Sequence, residues 1–92
     1  MIQVVQVGTY SVIGEWDAIT KTMLAPRVMQ TRQVSPTETR LIMAVMIGNP
    51  KAVAIHEPLM SYEPDKEVQD YYRSEVTGIK LVPTGVIGGL RP

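Results

Sequence analysis

An unbroken apolar run, Leu41 to Ile47, lies between two proline-bearing punctuations in the stretch VSPTETRLIMAVMIGNP, residues 34–50. Such a run is buried either as a strand or as a helix, and hydrophobicity alone does not separate the two. Its flanks carry helix signals. Ser35 is placed to cap, Pro36 stands where a missing N–H costs nothing, and Glu38 completes an S-x-x-E capping box. Gly48 suits the left-handed position after a helix, and Pro50 forbids continuation. These signals predict a helix over Pro36–Ile47, with Leu41, Ile42, Val45 and Met46 on its buried face. A buried strand stays open as the other reading, because Gly48-Asn49-Pro50-Lys51 also serves as a turn.

The 92 residues suffice for one domain with a modest core. No cysteine is present, which removes disulfides, thiol nucleophiles and thiolate metal sites, and suggests an intracellular, cytoplasmic protein. The start MIQVVQVGTY lacks the charged beginning of a signal peptide. The formal net charge is zero, so bulk electrostatics give no basic footprint of the kind nucleic-acid binding usually leaves. Locally the balance differs. Glu57, Glu63, Asp65, Glu67, Asp70 and Glu75 face only Lys66 and Arg73 within residues 57–75, while the other bases are scattered.

Ile2–Val7 is rich in β-branched residues and reads as a strand ended by Gly8, with Tyr10–Ile13 as a second short strand. Residues 15–24 fit either periodicity, and Ala25-Pro26 ends them in both cases. Arg27–Val34 alternates, placing Val28, Gln30, Arg32 and Val34 on one side. The expected arrangement for residues 1–34 is therefore a small antiparallel sheet. Further on, His56–Tyr62 reads as a brief helix. Pro64–Val76 reads as a firmer one, with Val68, Tyr72 and Val76 recurring at helical spacing and Gly78 at its exit. Ile79–Val82 and Val86–Leu90 around Pro83-Thr84-Gly85 read as a terminal hairpin.

Strands, three helices over residues 35–77 and a hairpin over 78–92 make the order of an α+β winged helix-turn-helix. VSPTETRLIMAVMIGNP resembles the opening of the OmpR/PhoB-type DNA-binding domain, where a T-P-T-E-like cap precedes a leucine-rich first helix. TGIKLVPTGVIGGLRP is similar to that family's wing. The match runs in order from Val34 to Arg91, whereas PKAVAIHEPLM departs from the family's second helix, and the length suits an expectation of this domain standing alone, without the usual receiver domain. The resemblance implies a small transcriptional regulator that contacts duplex DNA through its third helix and wing. Lys66, Gln69, Arg73, Ser74 and Thr77 would lie on the helix, and Lys80 and Thr84 on the wing. In that role Arg73 suits a guanine edge, and Lys66 and Ser74 suit phosphates.

Each of these residues also has a plainer role. Lys66 and Asp70 are spaced as an i, i+4 ion pair on a solvated face. Arg27, Arg32 and Arg40 either track phosphates or are dispersed surface charges. His56 is the only histidine, so neither a zinc site nor an acid–base pair is expected, and no cofactor or catalytic group emerges. Neutral charge, the acidic 57–75 segment and methionines such as Met43, Met46 and Met60 support an alternative, a module for protein contact or self-assembly that does not bind DNA.

Overall fold

In the computed structural model, which describes residues 1–78, the β-branched opening forms β1 (Ile2–Val7). Gly8 then takes φ +59°, a left-handed turn that favours glycine, and hands the chain to β2 (Tyr10–Asp17). The two strands are antiparallel, with Val4 opposite Ile13 and Val5 opposite Val12. At the far end of β2 the Asp17 carboxylate accepts from the backbone N–H groups of Ile19 and Thr20, at 2.9 and 3.3 Å. That turn leads into the long β3 (Thr22–Ser35). β4 (Glu38–Val45), β5 (Ala52–Ala54), β6 (Met60–Tyr62) and α1 (Lys66–Thr77) follow. Across the sheet the order is β4-β3-β2-β1-β6, and β5 continues the line of β4 along the lower half of β3.

This is not the winged helix-turn-helix that the sequence suggested. Among the described residues there are six strands and one helix, where that fold needs three helices. Most of the expected helix Pro36–Ile47 is instead β4, the returning arm of a hairpin, with Met29 opposite Met43 and Thr31 opposite Leu41. The capping signals serve a turn instead. Ser35 pairs with Glu38, and the Ser35 hydroxyl accepts from the Thr37 N–H at 3.3 Å, with Pro36 presetting the corner between them. Val45, expected on a buried helical face, is 55 % exposed. The second expected helix, His56–Tyr62, is also extended at its end, where β6 pairs with β1. The proposed wing lies outside the described residues. The third expected helix is present as α1, capped by the Asp65 carboxylate accepting from the Val68 N–H at 3.0 Å and closed by Gly78 at φ +76°.

β3 does not end at Ala25-Pro26, as expected, but passes through it in a bulge. Ile13 pairs with Arg27 and Glu15 with Leu24, so Gly14 alone faces both Ala25 and Pro26. The bulge places Pro26, which has no N–H to give, where no ladder bond is needed, and Ala25 takes φ +50°. It also makes both faces of the sheet useful. One face gathers Ile2, Val4, Ile13 and Met43 beneath Tyr72 of α1. The opposite face gathers Val5, Val12, Trp16, Met23 and Ile55.

Candidate interaction surfaces

α1 is held to the sheet by Tyr72, whose hydroxyl donates to the Ala25 carbonyl at 2.7 Å. Burial raises its pKa, with Glu15 adding to the effect. The outer face of the same helix carries the residues expected to meet DNA, and they are engaged with one another. Lys66 donates to Asp70 at 2.7 Å, and Arg73 donates to Asp70 at 3.2 Å and to the Gln69 side chain at 3.3 Å. Gln69 in turn donates to the Pro64 carbonyl at 2.8 Å. The hydroxyls of Ser74 and Thr77 donate back to the carbonyls of Tyr71 and Arg73. The hydrogen bond from Lys66 chiefly holds the Asp70 carboxyl below its ordinary pKa. This face is close to charge-neutral. Lys80 and Thr84 lie outside the described residues.

The ends of the sheet are more open. The Trp16 N–H donates to the Met1 carbonyl, Ala25 to Lys51 and Ile55 to Lys21. Strand residues turn their amides alternately to either neighbour. Counting from these bonds through the bulge leaves Arg40, Ile42 and Ala44 facing β3, and Thr39, Leu41, Met43 and Val45 facing outward. The backbone of Met43 meets the Tyr71 hydroxyl, drawing down a pKa that burial and Glu75 raise. Among the described residues, the outward amides on either side of it have no partner strand. Leu41–Val45 contains neither charge nor proline. At the other end of the sheet, β6 presents Met60 and Tyr62, which are 57 % and 47 % exposed, next to Leu59 at 68 %.

Beyond its pairing with β2, which stops at Met29, β3 continues with β4 as a projecting two-stranded arm. Val28 and Ala44, Gln30 and Ile42, and Arg32 and Arg40 stand directly opposite one another along a single face of it. Like charges so placed repel. Arg40 has only Glu38, at 4.0 Å, and its buried Nε finds no hydrogen-bond acceptor; Arg32 has no polar partner among the described residues. At the base of this face lies an open, almost wholly apolar pocket of about 370 Å³, lined by Tyr10, Val12, Val28, Met46, Val53 and Ile55 among others. The reading of Val28, Gln30 and Arg32 as one side of a strand was available from alternation. Arg40 was not, because its segment read as a helix.

Among the described residues no group of acidic or histidine side chains is arranged to hold a metal, and no helix is long and apolar enough to cross a membrane. Comparison with known protein families, curated proteins and solved structures returns no match.

Proposed function

We propose that this chain is a protein-contact module that self-associates through the edges of its sheet, the open side of β4 in one copy adding to β6 of the next. The observation that carries this reading is the uncharged run Leu41–Val45 at the end of the described sheet, where Tyr71 covers the edge at Met43 and the outward amides of Leu41 and Val45 have no partner strand among the described residues. Monomeric sheet proteins usually blunt such edges with lysine, proline, a bulge or a covering helix; none of the first three interrupts this one, and α1 reaches it only through Tyr71 at Met43. Charge supports a head-to-tail arrangement over pairing of like edges. Residues 39–56 contain Arg40 and Lys51 and no acid, whereas Glu57, Glu63, Asp65 and Glu67 surround β6 and the start of α1. An interface of this kind is heterologous, using two different patches of each copy.

Duplex DNA ranks second. Its placement depended on a helix-turn-helix that the described residues do not form, and Lys66, Gln69 and Arg73, meant to reach DNA, are tied together on α1. Sedimentation velocity over a concentration series tests the first reading. The protein is expected to sediment as an oligomer, and Val45→Lys or Met60→Lys, each at an exposed position, is expected to shift it toward monomer. Ile19→Lys, at a turn residue 93 % exposed, is expected to leave the distribution unchanged. A wild-type monomer at every concentration, combined with salt-dependent duplex binding lost in Arg73→Ala, would reverse the order of the two readings.

A further inference from the structure

We infer that the arm face and the pocket at its base form one binding site for an anionic amphiphile, a single medium-length acyl chain ending in a carboxylate or phosphate. The pocket is within the range of small-molecule sites, and its lining is almost free of polar groups, so it favours an apolar body over a sugar or nucleotide. Its floor is shared with the second core cluster through Val12, Val53 and Ile55, which gives it a rigid base. From Val28 the same face of the sheet runs past Ile42 to the opposed pair Arg32 and Arg40. Four residues at ~3.3 Å each set the pocket and the arginines about 13 Å apart, roughly the reach of a ten-carbon chain.

The arginine pair is the part of the fold that lacks its own explanation. Among the described residues, two guanidinium-bearing side chains at directly opposed positions, with a single carboxylate, Glu38, 4.0 Å from Arg40, leave a local excess of positive charge. An anionic head group removes that repulsion, and a planar guanidinium matches the two oxygens of a carboxylate or phosphate. Ile42 and Ala44, both half-buried, give the chain an apolar path between head and tail. The site uses the face of the sheet, whereas self-association uses its edge, so the two proposals stand independently.

Trp16 packs in the cluster beneath the pocket and is the only tryptophan, so its fluorescence reports occupancy. Decanoate, decyl phosphate and decanol, each kept below its aggregation concentration, are titrated into the protein with calorimetry as a second readout. Both anions are expected to saturate a single site and to bind more tightly than decanol. The double variant Arg32→Ala/Arg40→Ala is expected to weaken the anions roughly tenfold or more and to leave decanol unchanged. Ala54→Phe, at an exposed residue that lines the pocket, is expected to abolish all three without altering the circular dichroism spectrum. Binding is expected to persist in Val45→Lys whatever its oligomeric state, so either proposal can fail without the other. The absence of saturable binding, equal affinity for decanol and the anions, or unchanged anion binding in the arginine variant would overturn the inference.

Discussion

A Cβ at position 14 would lie 2.6 Å from Met23 Cγ and 2.7 Å from the Leu24 carbonyl oxygen. Part of that obstacle is backbone, which cannot rotate away as a flexible side chain could. Gly14→Ala should therefore destabilise the protein by about 1–3 kcal/mol, measured by urea unfolding, because the close approach that makes the bulge possible is lost. Asp17 supplies a pH dependence. Its carboxylate accepts from the Ile19 and Thr20 amides, which lowers its pKa, the Ile19 bond contributing most. A carboxylate whose pKa is depressed by folding stabilises the folded state above the ordinary aspartate pKa of about 4. That contribution fades as pH falls from there through the lowered folded value. Asp17→Asn, which keeps an acceptor but cannot titrate, should flatten the stability profile in this acidic window; an unchanged profile would remove Asp17 as a source of the dependence.

At the scale of elements, α1 and the hairpin over residues 22–45 show what a sequence does and does not declare. The signals for α1 are local, and nothing competes with them: Asp65 caps, Val68 and Tyr72 recur on one face, and Gly78 closes. The S-P-T-E stretch at residues 35–38 is equally local but serves two outcomes, a helix cap or a tight turn. The decision lies in the partner segment. Arg27–Ser35 alternates and offers a strand in register, so the apolar run pairs with it. Of the expected site, the helical face was legible down to the Lys66–Asp70 pair, whereas the arginine pair and the pocket depend on register and were not. Helix and sheet meet at Tyr72, 3 % exposed and bonded to Ala25. Tyr72→Phe should lower stability by about 0.5–1.5 kcal/mol in chemical denaturation while preserving the helix content. Loss of the helical signal would show that this bond holds α1 folded as well as docked.

At the scale of the whole molecule, the proposed self-association means that the sheet does not end at β4 but continues into a second copy. Residue-resolved hydrogen exchange, followed by NMR over a range of protein concentrations, tests it most directly. The amides of Arg40, Ile42 and Ala44 face β3 within one copy and should be protected at every concentration. Those of Leu41 and Val45 face outward and should exchange rapidly in dilute protein, then gain protection as concentration rises and β6 of another copy covers them. Met43 is set aside because Tyr71 already meets its backbone. Protection of Leu41 and Val45 that grows with concentration, and disappears in Met60→Lys, is the result expected. Rapid exchange at both positions under all conditions would contradict edge pairing and leave β4 as a true end of the sheet.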